Sequence, residues 1–182
     1  MNRVFSLSVL SLCLLCTLFS CTNADFDSVF DGKNEEALMP LDISSVCQEP
    51  LVEALSDRSV IGSIASRACA GRFLSKMAYV INDSAILDGV VDSKGNEVEF
   101  DESLFDNYSL VVCTVSSGSG SHFNEQRVLV NKQSVTIYVD FYSSFYQDAR
   151  LFHSLHIYPK LPDGPVELIV RKRYADGTAI TE

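Results

Sequence analysis

The sequence predicts an α+β domain dominated by β-structure, an antiparallel meander or sandwich with a few short helices. Three observations carry this expectation. SVTIYVDFY (134–142) alternates strictly, with Val135, Ile137, Val139 and Phe141 on one face and Thr136, Tyr138, Asp140 and Tyr142 on the other. PVELIVRKRY (165–174) alternates again, Val166, Leu168 and Val170 inward and Glu167, Arg171 and Arg173 outward. Short polar turns separate the apolar runs of this half, and strands joined that way tend to neighbour each other antiparallel.

The elements follow in order. QEPLVEALSDR (48–58) reads as a short helix, because Pro50 suits a first turn and Leu51, Val52 and Leu55 share one side. SVIGSIASR (59–67) reads as a first strand interrupted by Gly62. FLSKMAYVIND (73–83) reads as another strand. Asn82 to Ser84 then cap a helical turn, AILDG, that Gly89 stops. DSKGNE (92–97) is a turn, and FDESLFDN (100–107) a short turn or helix. YSLVVCTVS (108–116) is a β-rich run, SSGSGS (116–121) a flexible loop, and QRVLV (126–130) a strand. RLFHSLHIY (150–158) is a strand that PKLPDGP turns back.

Arg3 is the one charge before Asp25, and Val4 to Leu18 is an apolar run broken by Ser6, Ser8, Ser11 and Thr17. A membrane-spanning helix needs about 20 apolar residues. A positive start, a shorter apolar core and the small Ser20 describe a secretory leader instead. The expected organisation is a leader over 1–20, an acidic tether over 21–41, and one β-rich domain over 42–182. With 24 acidic against 14 basic residues, the formal net charge of −10 argues against nucleic acid and against docking on anionic lipid.

Past Cys21, Cys47, Cys69 and Cys113 remain. Outside the cytoplasm Cys47 and Cys69 are a candidate disulfide, worth about 3 kcal/mol when unstrained. Three buried thiols packed like small hydrophobes are the alternative. Neither zinc nor another cofactor is expected: there is no CxxC pair, and His153 and His156, three apart on a strand, point to opposite faces. GSGS lacks the nucleophile-elbow pattern and no GK[ST] follows it, so neither a serine nucleophile nor a phosphate cradle is indicated. Glu97 and Glu99 are flanked by turn residues and read as a solvated face. The expectation is a protein that is not an enzyme.

DFYSSFYQDARLF (140–152) carries the binding expectation. Tyr142, Phe145 and Tyr146 lie at a connection between strands, where aromatics serve as contact residues for a protein or glycan, or else fold back over the sheet.

LFSC (18–21) resembles a bacterial lipoprotein signal, with Leu18 three before the cysteine and Ser20 immediately before it. The resemblance implies cleavage before Cys21, acylation of that cysteine, and a lipid-anchored protein of the bacterial envelope, at the outer membrane. From Phe105 onward, FDNYSLVVC, the Gly/Ser loop, SVTIYVDFY, LHIYPKLPDGP and VELIVRK resemble small lipoproteins of the Bacteroidetes type. That likeness further implies O-glycosylation at Ser28 in DSV and Ser84 in DSA. The same stretch is similar to the protease-complex inhibitor domain, with SSGSGSHF standing where that family has its threonine–glycine–glycine–tyrosine loop. Two functions are therefore expected in competition. One is an anchored, non-catalytic binding module; the other is an inhibitor using the 116–122 and 142–147 loops as wedges. A shared groove of tyrosines would favour the first, and two loops protruding side by side at one end the second.

Overall fold

The computed structural model describes residues 37–70, 76–131, 134–144, 148–163, 166–174, 176 and 178. The leader, Cys21, Ser28, Phe145 and Tyr146 lie outside the described residues. Strand outweighs helix, 48% to 24%, so the domain is α+β and β-dominated, as the alternating runs indicate. Among the described residues the strands are β1 (Ala37–Leu38), β2 (Lys76–Ile81), β3 (Tyr108–Gly118), β4 (His122–Asn131), β5 (Ser134–Ser143), β6 (Ala149–Pro159) and β7 (Val166–Tyr174). The helices are α1 (Ile43–Val46), α2 (Glu49–Ser56), α3 (Arg58–Ala68) and α4 (Leu104–Asn107), with a 3₁₀ turn at Ser84–Leu87.

The strands form two sheets, in the orders β1-β4-β5-β7 and β2-β3-β6. They face each other across a core of Val111, Cys113, Val128, Ile137, Val139 and Phe141. The opposite face of β2-β3-β6 is covered by α2 and α3, whose Leu55, Val60, Ile64 and Ala65 pack on Leu110, Val112, Leu155 and Ile157. β3 is thus buried on both sides, which is why YSLVVCTV reads as a continuous apolar run and not as an alternating one. The outer face of β1-β4-β5-β7 has no third layer over it among the described residues.

Both expected face assignments hold. Val135, Ile137, Val139 and Phe141 have no exposed surface, and Val166, Leu168 and Val170 pack on the same core. Connectivity departs from a simple meander. Among the described residues only β2–β3 and β4–β5 pair as consecutive strands, β3 pairs with β6, and β5 pairs with β7 in parallel. The chain leaves one sheet after β5, runs back through the other as β6, and returns, so two reversals bring β7 in beside β5 with the same direction.

SVIGSIASR is not a strand; it is most of α3. Two observations explain the difference. Asp57 caps the helix, accepting from the Ser59 backbone N–H at 2.8 Å. Val60, Ile64 and Ala65 then fall on one helical face against the sheet. Gly62 lies on the side that approaches β6, where a Cβ would stand 3.8 Å from His153 Cδ2. The folded region also begins ahead of 42: Ala37 and Leu38 pair with Leu129 and Val128, and the Leu41 N–H donates to Ile157 at 2.8 Å. The last residues assigned to the tether are therefore part of the domain. SSGSGS is no open loop either. β3 continues to Gly118, and only a tight turn with Gly120 at φ +85° separates it from β4.

The other local expectations are met. Pro50 sits in the first turn of α2, and Asp83 caps the 3₁₀ turn through the Ala85 N–H at 2.8 Å. Gly89 ends that turn at φ +68°, and 92–97 is a turn with Gly95 at φ +85°. Before the chain crosses back to β7, the end of β6 is pinned. The Lys160 backbone N–H donates to Asn107 at 2.8 Å and its ammonium to Asn82 and Phe105, while the Leu161 N–H donates to Ser109 Oγ at 2.9 Å.

The Asp57 cap has a measurable signature. The Ser59 backbone and hydroxyl, then Ser93, hold its carboxyl at about 2, below the ordinary 3.8. A carboxylate lowered on folding stabilises the fold above its unfolded-state value, and that contribution is lost as pH falls through the folded-state value. Asp57→Ala is expected to melt about 3–6 °C below wild type at pH 7. The gap should narrow between pH 4 and 2; a gap constant across that range would refute the assignment.

Candidate functional site

The sequence-predicted contact stretch falls at one end of the uncovered sheet face. Tyr142 is half-buried near the end of β5, its neighbours across the sheet being His122 on β4 and Arg173 on β7. Its ring stacks obliquely on His122, centroids 5.2 Å apart. In the next rung Asp140, 2% exposed, receives Arg171 Nε at 2.9 Å, Arg173 Nε at 3.1 Å and Asn124 Nδ2 at 3.0 Å. Both guanidiniums are thus engaged within the sheet. The structure joins Tyr142 to His122, and it does not describe Phe145 or Tyr146.

The two loops of the inhibitor reading do meet here. The Ser144 N–H donates to Ser121 Oγ at 2.8 Å, Ser117 and Ser143 share a 2.7 Å hydrogen bond, and Ser119 Oγ donates to Asp148 at 2.7 Å. The first of them, however, is a tight turn held against its neighbour.

The remaining histidines and cysteines past His122 and Cys21 are buried or half-buried. His153 faces the helix layer and bonds Thr114 Oγ1 through Nδ1 at 2.9 Å, while strand alternation puts His156 on the sandwich side. Burial lowers the pKa of both, favouring neutral imidazoles. Cys47, Cys69 and Cys113 are free thiols in the structure, without a Cys47–Cys69 bond; Cys69 and Cys113 are buried and Cys47 is half-buried. Cys113 lies inside the sandwich, where burial pushes its thiol up to about 12 against the opposing hydrogen bond of Ser154. Nearby, Gln126 takes Ser154 Oγ on its carbonyl at 3.1 Å and donates to the Tyr158 hydroxyl at 3.2 Å. The polar groups of that cluster answer one another, which is what burial requires. Ser84 is half-buried at the start of the 3₁₀ turn.

The larger concavity is elsewhere. An open cleft of about 840 Å³ lies between α1–α2 on one side and residues 92–103 on the other. Its floor is Leu51, Val98, Phe100, Leu104 and Tyr108, continuous with the core beneath the helices. Its walls carry Glu53, Asp57, Asp92, Glu97, Glu99 and Asp101, against the one lysine of the lining, Lys94. Local hydrogen bonding shapes these walls. Asp57 caps α3 and also accepts from the Ser93 N–H at 3.3 Å, which ties the two sides together. Asp92 closes the 92–97 turn by accepting from the Lys94 and Asn96 N–H groups, each at 2.8 Å, and Asp101 accepts from the Ser103 N–H at 2.9 Å. The Asn96 side chain and backbone hold Asp92 below the usual carboxylate range, and Ser103 does the same for Asp101. Cys47 stands on the rim, its thiol raised by desolvation.

Glu97 and Glu99 are exposed, as a solvated face requires, yet they form one wall of a concave surface. The signal for it is present in the sequence: EVEF alternates acid and apolar residues beside an acid-rich turn, sending Val98 and Phe100 to a floor and the glutamates to its edge.

Among the described residues no helix is long and apolar enough to cross a membrane. Comparison with known proteins finds no matching family model, no matching curated protein and no matching solved structure.

Proposed function

We propose that the chain is a lipid-anchored lipoprotein of the bacterial outer membrane whose domain is a non-catalytic module binding a protein or glycan partner. The observation that carries the binding part is the open cleft. It combines an apolar floor, which gains from being covered, with polar walls that can orient what covers it. The non-catalytic part is supported by the placement of candidate nucleophiles and bases: a thiol in the core and two half-buried imidazoles on opposite faces of β6. The anchor rests on LFSC. A fully extended 22–36 reaches at most about 55 Å, so an acylated Cys21 holds the domain close to its membrane. The acidic surface opposes adhesion to anionic headgroups.

Wild type grown with labelled fatty acid is expected to carry the label and to sediment with membranes, whereas Cys21→Ala is released or left unprocessed. A wild-type protein that incorporates no label removes the anchor from this reading. The binding part is tested by recovery of a partner from solubilised envelopes with the wild-type chain. The inhibitor reading keeps one specific observation, the bonded contact between residues 117–121 and Ser143, Ser144 and Asp148. It requires that Tyr142→Ala abolish recovery of a protease, while the cleft reading leaves recovery intact in that variant.

A further inference from the structure

We infer that the cleft between α1–α2 and residues 92–103 receives a basic, partly apolar peptide segment of a partner protein. The inference rests on the binding-module reading and names the chemistry of its partner. Charge complementarity and the apolar floor argue for it together. Six carboxylates and one lysine line the concavity, so its field is strongly negative, and a concave low-dielectric wall focuses such a field. Asp57, Asp92 and Asp101 keep their charge into mildly acidic conditions, since their hydrogen bonds hold them below the ordinary carboxylate range.

A small inorganic cation would use the walls and leave the floor wet. Leu51, Val98 and Phe100 are partly buried by the core below them and gain further only from an apolar group laid across them. An extended peptide would meet both parts of the cleft, with leucine-like side chains down on the floor and ammonium or guanidinium groups toward the acidic walls. Occupants from this chain are repelled. Residues 22–36 carry Asp25, Asp27, Asp31, Glu35 and Glu36 against Lys33, and a second copy brings a formal charge of −10. Anionic lipid and nucleic acid are repelled for the same reason.

The probe is a fluorescent seven-residue peptide alternating lysine with leucine, titrated against the purified full chain and read by anisotropy. Binding is expected, with affinity falling roughly tenfold or more when Glu53→Gln, Glu97→Gln and Glu99→Gln are combined. It should also fall on raising salt from about 0.05 to 0.5 M, where the Debye length shrinks severalfold. These three side chains are exposed, so the triple variant should keep the wild-type melting curve. A second probe with serine for leucine should bind clearly more weakly, a comparison that needs no change in the protein. Equal affinity of wild type and triple variant overturns the inference, because the peptide is then held elsewhere. Equal affinity of the two probes also overturns it, because charge alone is then responsible. If the peptide does not bind and an envelope partner is recovered equally by wild type and triple variant, this inference fails and the binding-module reading stands. If wild type recovers no envelope partner while the peptide binds as described, the cleft chemistry stands and that reading fails.

Discussion

Val139→Asp is expected to lose most of its folding stability, while Thr136→Asp, on the same strand, melts close to wild type. Val139 has no exposed surface and lies in the core between the two sheets, among Val111, Cys113, Ile137 and Phe141. Its neighbours across the ladder are Gln126 and Val170, so nothing beside it offers a cation. An ionised carboxylate there is either left unpaired or forced to take up a proton, at a cost of several kcal/mol. A domain of this size is stable by about 5–15 kcal/mol in total, so the variant stands near the edge of folding. Thr136 is half-buried on the outer face between Leu129 and Glu167. An aspartate there keeps access to water and adds a like-charge neighbour in Glu167, worth about 0.2–1 kcal/mol. Urea midpoints of the two variants make the comparison, and equal midpoints would show that the face assignment of β5 is wrong.

That assignment was readable because a period of two needs no tertiary information. The alternating residues of 134–142 and 165–174 predict their faces from the chain alone, and the structure agrees at each core position. Partner choice between strands was less readable. Nothing in QRVLV or RLFHSLHIY says which sheet a strand joins, and turn length argues for the nearest neighbour in sequence. The β5–β7 and β3–β6 pairings arise because both faces of β2-β3-β6 must be covered, one by helices and one by the other sheet. SVIGSIASR shows the complementary failure. The β-branched Val60, Ile61 and Ile64 favour a strand locally, yet the Asp57 cap and the apolar face at 60, 64 and 65 decide for a helix once a sheet is there to receive it. For the site, the aromatic stretch drew attention to Tyr142, but the cleft is assembled from 46–57 and 92–108, segments that sequence distance separates. Acids that look dispersed along the chain become a wall only when Asp57 bonds Ser93.

The second large effect is expected at Asp140, which the alternation of β5 sends to the outer face and which is nonetheless 2% exposed. Arg171 and Arg173 reach it from the adjacent parallel strand at 2.9 and 3.1 Å, and Asn124 from β4 at 3.0 Å, so neighbouring side chains bury it without a covering layer. Asp140→Ala takes the shared acceptor from two guanidiniums and one amide at once. Removing one partner of a fully buried pair costs about 3–5 kcal/mol. Here the arginine side chains are 22% and 28% exposed, so water compensates part of the loss and about 2–3 kcal/mol is expected. Arg171→Ala or Arg173→Ala alone should cost less, since the carboxylate then keeps the other arginine. Adding both arginine changes to Asp140→Ala should recover part of the loss, because the uncompensated positive charge is gone. Urea midpoints for the four variants test the set. If Asp140→Ala costs no more than either arginine change, the carboxylate is not the shared acceptor that joins β7 to β5. The parallel register that sets Arg173 beside Tyr142 must then be held by the backbone ladder and the Val166, Leu168 and Val170 face alone.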